Sequence, residues 1–288
     1  MRDQAQRLRE LAARSRPAPA RTDGGRAIAV TSGKGGVGKT SVVANLGAAL
    51  ARRGHTVTVL DADFGLANLD ILLNLNPARN LGHLVRGEAR PEEVVVQVAP
   101  GFRVIPGSSG VEEMADLDPA RRDRVLAQAS HLAAGSAFFL IDTAAGIGRN
   151  VLDLCAAAGE ILLVTNAEPA SLTDAYGLVK LLWSRDPGVR VRVVVNSAAD
   201  EREARAVYEH LDRVVARFLD RRVEWGGHIV RDDHVRRAAV RQVLFVAAYP
   251  RCPASRCVDA IARDLAAEPG GARDAAGFWE RLAGGGAG

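Results

Sequence analysis

The chain has 288 residues, 48% of them hydrophobic, and a formal net charge of +4 from 38 Lys+Arg against 34 Asp+Glu. That is ample apolar material for a large buried core, and too mild a charge bias to require a nucleic-acid or lipid partner. No apolar run approaches the roughly 18 residues of a membrane span, and the N-terminus lacks the apolar stretch of a secretory signal.

Residues 1–14 read as a short helix with Ala5, Leu8, Leu11 and Ala12 on one apolar stripe. Residues 15–25, rich in Pro, Gly and charge, read as a flexible linker. The stripe ahead of a linker suggests a detached recognition element, a helix that docks in a partner's groove. Ala27 to Thr31 have strand character and lead into a glycine-rich turn. There Gly33, Gly38, Lys39 and Thr40 fit the phosphate-binding pattern G-x-x-x-x-G-K-[ST]. The residues Gly33, Lys34, Gly35, Gly36, Val37, Gly38, Lys39, Thr40 and Ser41 would wrap a nucleotide's phosphates with backbone N–H groups. The following helix aims its positive end at the same anion. Lys39 would reach the β- and γ-phosphates of ATP, and the Thr40 hydroxyl would ligate Mg²⁺. Lysine usage adds weight: the chain has only three, Lys34, Lys39 and Lys180, and two sit in this loop. A compact ammonium rather than a planar guanidinium is needed at both places.

The second strand, Val57 to Leu60, ends at Asp61 and Asp63. Acids at the carboxyl end of a parallel strand lie beside the ligand crevice and can serve Mg²⁺ or the attacking water. Residues 77–100 read as short helices and turns, Phe102 to Ile105 as a strand, and 119–133 as a helix. The apolar run Ala137 to Ile141 ends at Asp142, the arrangement that positions Mg²⁺ through water. Buried strands follow at Ile161–Thr165 and Val191–Val195 and a last short strand at Trp225–Val230, with the stretch 166–182 and a long amphipathic helix at 201–219 between them. Strands alternating with helices predict an α/β fold, a doubly wound and mostly parallel sheet with ligand at the carboxyl ends of its strands. Asn196 closes one strand, but Ser197 and Ala199 do not make the guanine motif N-K-x-D, which favours ATP over GTP. A helical stretch from about Asp233 follows the last strand. Cys155, Cys252 and Cys257 are odd in number, and the four residues between Cys252 and Cys257 have no second pair, so free thiols and no zinc site are expected. From residue 269 the composition shifts to a glycine-flanked segment with Phe278, Trp279 and Leu282, which either anchors in an anionic bilayer interface with Arg273 and Arg281 near lipid phosphates or packs on the domain or stays disordered, the readings being of equal weight. The organisation expected is therefore a recognition helix 1–14, a linker 15–25, a nucleotide-binding domain 26–268 and a tail 269–288.

The lysine five residues ahead of Lys39, in KGGVGKT, resembles the deviant Walker A class of ATPases: MinD, ParA and the nitrogenase iron protein. The resemblance implies an ATP-sandwiched homodimer in which Lys34 reaches across to the partner's nucleotide. It also implies that Asp61 helps hold the Mg²⁺ shell, that Asp63 orients the hydrolytic water, that 142–146 form a second switch, and that Asn196 stands on the adenine side. Relatives often have proline where Val230 stands. The longer stretches DADFGLANLDILL, DTAAGI, EPASLTDAYGLVKLL and VYEHLDRVVARFL are similar to the FlhG/FleN family of flagellar-number regulators. Asp3, Gln4, Ala5, Leu8 and Arg9 match that family's N-terminal DQAxxLR motif. What this resemblance implies is slow ATP hydrolysis, peripheral association with the inner face of the cell membrane (often at the pole), and partners that include an FlhF-type signal-recognition GTPase, flagellar basal-body proteins and, in some lineages, a transcriptional activator. A ParA-type DNA-partitioning ATPase is the alternative, although nucleic acid is not the expected partner. A metal-cluster carrier on the same fold would need paired cysteines, which the spacing denies, and a vestigial site would not keep the full set of acids and lysines.

Overall fold

A computed structural model describes residues 25–63, 69–107, 119–268 and 273–284. Eight strands form one sheet: β1 (Arg26–Thr31), β2 (Val57–Ala62), β3 (Val96–Ala99), β4 (Phe102–Ile105), β5 (Phe138–Thr143), β6 (Glu160–Thr165), β7 (Arg190–Ala198) and β8 (Glu224–Val230). Their spatial order is β3-β4-β2-β5-β1-β6-β7-β8. All neighbouring pairs are parallel except β3–β4, which is antiparallel. The chain winds outward from β1 first to one side and then to the other, so the crevice expected of a doubly wound sheet opens above β1. Strands buried on both faces explain the continuous apolar runs; β1, β2, β5 and β6 are buried throughout. The β3 strand lies in the stretch read from sequence as short helices and turns. It is an edge strand of four residues, with too little alternation to separate it from a turn.

Helices cover both faces. On one lie α1 (Lys39–Arg52), α8 (Asp233–Val240), α9 (Phe245–Ala248) and α10 (Pro253–Ala267). On the other lie α3 (Leu81–Arg86), α4 (Pro119–Ala133), α5 (Arg149–Ala158), α6 (Pro169–Arg185), α7 (Glu201–Leu219) and α11 (Phe278–Gly284). A short α2 (Leu69–Leu73) follows β2. The α1 helix packs tightly because Gly47 faces Phe102, and a Cβ there would press on the ring. At the opposite end of the sheet from the crevice, the Arg26 guanidinium grips the buried Glu160 carboxylate through both oxygens, at 2.8 and 2.6 Å, and Arg192 binds Glu160 and Glu268. This fork geometry compensates charges that would otherwise be costly to bury.

Of the readings of the tail, residues 273–284 take the one in which it packs on the domain. Phe278 and Trp279 are fully buried and pack edge-on to Phe139 and tilted against it, respectively. Asp274 bridges to Arg26 beside β1, and the Ala275 N–H donates to the Gly25 carbonyl. Arg273 and Arg281, read as lipid-phosphate contacts, bind Asp186 and the carbonyls of Ala156 and Ala157 instead. The domain thus runs on to α11, past the expected boundary at 268. No helix among the described residues is long and apolar enough to cross a membrane. The N-terminal residues Asp3, Gln4, Ala5, Leu8 and Arg9, and the residues 64–68 after Asp63, lie outside the described residues.

Candidate functional site

The glycine-rich turn between β1 and α1 sits at the carboxyl end of the central strand. Gly36 and Gly38 adopt φ of 80° and 85°, the left-handed region open to glycine. Gly33 is required for a different reason: a Cβ there would overlap the Asp174 backbone of α6. Gly38 is the N-cap of α1 and supplies no side-chain cap. The first-turn N–H groups are therefore left facing the loop, where an anion can take them. The stretch after β5 is tied to the loop directly, since the Gly146 N–H donates to the Ser32 carbonyl at 2.8 Å.

Three buried charges converge behind this loop. Asp61 of β2 and Asp142 of β5 are register partners on adjacent parallel strands, and each is 1% exposed. The Lys39 ammonium lies 2.5 Å from Asp142 Oδ1. Burial, reinforced by the charge of Asp142, pushes Asp61 up to about 7, against the pull of backbone N–H groups from Asp63 and Leu69 and of Lys39. Asp142 is also raised, by burial, against the pull of Lys39 and the Thr40 side chain. One lysine facing two carboxylates leaves the site short of positive charge. Asp142 Oδ2 is buried without a hydrogen-bond partner. A hard dication with oxygen ligands fits: Thr40, Asp61 and Asp142 offer a hydroxyl and carboxylates and nothing softer. Asp63 is half-buried beside them.

Lys34 is not turned into this cradle. Its ammonium forms an ion pair with Glu168, the N-cap residue of α6, whose acidity is strengthened by that bond. Sequence reading passed over Glu168. The available signal was an acid directly before a proline at a helix start, after a buried strand. Beside the loop, a cleft of about 320 Å³ runs between Gly36–Gly38, Asn196 and α8. The Asn196 amide donates to the Val37 carbonyl at 2.7 Å and so ties the end of β7 to the phosphate loop. Val235 and Arg236 of α8 form the cleft's far wall, with Val230 and Arg231 at its end. Those α8 residues carried no sequence signal, because their spacing is that of any amphipathic helix. The loop, its lysine, two acids and an adjoining cleft are the parts needed to hold a nucleoside triphosphate with its metal.

Comparison with known proteins agrees. Residues 28–245 match the CobQ/CobB/MinD/ParA nucleotide-binding domain. Over 243 residues, 84% of this chain and 86% of the relative, it is 42% identical to the antiactivator FleN of Pseudomonas aeruginosa. It is 35% identical to the flagellum site-determining protein YlxH of Helicobacter pylori over 65% of this chain and 63% of that one. Among solved structures, MinD in the MinC:MinD cell division complex of Aquifex aeolicus matches with a TM-score of 0.69 and 28% identity, covering 85% of this chain and 96% of that one. MinD of Pyrococcus horikoshii, solved with Mg-ADP, matches with a TM-score of 0.67 and 26% identity over 83% and 95%. A phosphate loop with the extra lysine, on this sheet order and with these relatives, makes the chain a member of the MinD/ParA family of deviant Walker A nucleotide-binding ATPases.

Proposed function

We propose that this chain is an ATP-dependent dimerisation switch that controls the number and placement of flagella. The observation that carries the reading is the state of Lys34. It stands at the mouth of the phosphate loop and is held on the surface by Glu168, away from the chain's own phosphate cradle, as suits a group whose target lies on a second copy. The relatives named for flagellar antiactivation and flagellar site determination supply the biological setting.

In this reading the loop amides and Lys39 bind the triphosphate of ATP, and Thr40, Asp61 and Asp142 would hold Mg²⁺, which neutralises charge on the phosphate oxygens. Asp63 orients water for in-line attack, and Lys34 of the partner subunit stabilises the charge that develops. Asn196 and α8 receive the base. Hydrolysis is slow because the ATP-bound dimer is the signal. The segment 1–14 stimulates an FlhF-type GTPase through Asp3, Gln4, Ala5, Leu8 and Arg9, and basal-body proteins or a transcriptional activator read the dimer. The protein works in the cytoplasm and at the inner face of the membrane, without Phe278 and Trp279 as its anchor.

The test is a count of flagella per cell by electron microscopy after deletion of the gene. Excess or misplaced flagella support the proposal, and complementation with Lys34→Ala or Asp63→Ala should fail. Normal flagellation with loss of plasmid or chromosome would refute it in favour of DNA partitioning.

A further inference from the structure

The spacing of Cys252 and Cys257 offers no zinc site, yet the fold assembles one thiol with two other ligand types. Asp232 is the N-cap of α8 and Cys252 the N-cap of α10. His234 stands in the first turn of α8, with its Nδ1 2.8 Å from Asp232 Oδ1. The three ligand atoms of Asp232, His234 and Cys252 all lie within 4.8 Å of one another. Each is held from behind. Asp232 accepts the His234 and Ala254 N–H groups at 2.9 and 3.1 Å. The His234 ring packs on Tyr249, centroids 4.7 Å apart. The Cys252 N–H donates to the Tyr249 carbonyl, and its Sγ is 3.2 Å from Ser255 Oγ. Cys252 is buried, while Asp232 also borders the nucleotide cleft, which gives water a route in.

We propose that Asp232, His234 and Cys252 bind a borderline-soft divalent cation of the Zn²⁺ class. A carboxylate and a thiolate match the ion's two charges, and a neutral imidazole completes a three-ligand set that leaves a fourth position for water. Both anionic ligands sit at helix N-termini, where the helix dipole favours the charged forms, while burial and the neighbouring Asp232 raise the Cys252 thiol, so that binding the cation has to displace its proton. In tetrahedral zinc sites with these bond lengths, ligand atoms lie roughly 3.3–3.7 Å apart, so the widest separation in the set has to close by at most about 1 Å, and the 2.8 Å Asp232–His234 contact has to open by about 0.5 Å. The sulfur and nitrogen donors separate this site from the all-oxygen set at Thr40, Asp61 and Asp142, which suits Mg²⁺. Its role would be to fasten α8, the far wall of the cleft, to the start of α10.

The test is a Co²⁺ titration of the full chain, without nucleotide and with excess Mg²⁺ to fill the all-oxygen site. The expected result is a thiolate-to-cobalt charge-transfer band and tetrahedral d–d bands that saturate at one Co²⁺ per chain and vanish on adding Zn²⁺. Cys252→Ser should abolish the charge-transfer band, and His234→Ala should shift or abolish the d–d bands. Cys257→Ser should leave both unchanged, with circular dichroism confirming that all variants fold. No thiolate band at stoichiometric Co²⁺, a band that survives in Cys252→Ser, or one that disappears in Cys257→Ser would overturn the assignment.

Discussion

Asp61 gives the sharpest quantitative expectation. In the unfolded chain its acidity is that of an ordinary carboxyl, 3.8, and in the folded chain burial beside Asp142 raises it to about 7. A raised carboxyl means that the folded state holds the proton more tightly. The resulting stabilisation is fully present below the unfolded value and is lost as pH rises through the folded one. Between pH 5 and pH 8 the loss from this one group amounts to about 2.5 kcal/mol. Asp61→Asn keeps the shape and removes the titration. Without nucleotide, the stability of the wild-type protein relative to Asp61→Asn should therefore fall by about that amount from pH 5 to pH 8. Urea unfolding of both proteins at several pH values measures it. Mg-ADP should flatten the wild-type decline, because the metal replaces the proton as the partner of the carboxylate, and should do little for Asp61→Asn. Parallel pH profiles for the two proteins without nucleotide would refute the argument, since they would mean that the Asp61 carboxylate is not buried against Asp142.

Four further changes separate the parts. Lys34→Ala should still bind ATP as a monomer but fail to dimerise; unchanged dimer formation in light scattering with ATP would contradict the role across the interface. Glu168→Ala releases Lys34 from its exposed ion pair and should shift the monomer–dimer balance toward dimer by at most roughly 5-fold; sedimentation showing weaker dimers would mean that Glu168 is needed in the dimer itself. Gly38→Ala places a Cβ 2.5 Å from Asn196 Nδ2 at a φ of 85°, which should weaken nucleotide binding by on the order of 10-fold or more while leaving the fold intact by circular dichroism. Trp279→Ala should destabilise the domain by roughly 3–5 kcal/mol in urea unfolding; a change near zero would show that α11 does not hold to the core in solution.

Much of this molecule is written locally in the sequence. The phosphate loop is legible because glycine, lysine and threonine at fixed offsets leave few other uses, and Asp142 is legible because the apolar run of β5 leads straight into an acid. The remainder depends on which strands become neighbours. Asp61 and Asp142 are 81 positions apart, and only the order β2-β5-β1 makes them face each other. The partner of Lys34 is set by the close approach of the loop to α6, which no spacing encodes. The burial of Phe278 and Trp279 stayed undecided in the sequence for the same reason: whether the two aromatics meet lipid or Phe139 is settled by a core face built from distant residues.

That closing segment also bears on biosynthesis. The strand at the middle of the sheet precedes by more than 230 positions the groups that flank it: Asp274 beside Arg26, Ala275 on the Gly25 carbonyl, and Glu268 on Arg26. Contacts of such sequence separation close late. During translation the nucleotide loop is synthesised long before the layer beneath it can be finished, and a chain released early lacks the residues that seal it.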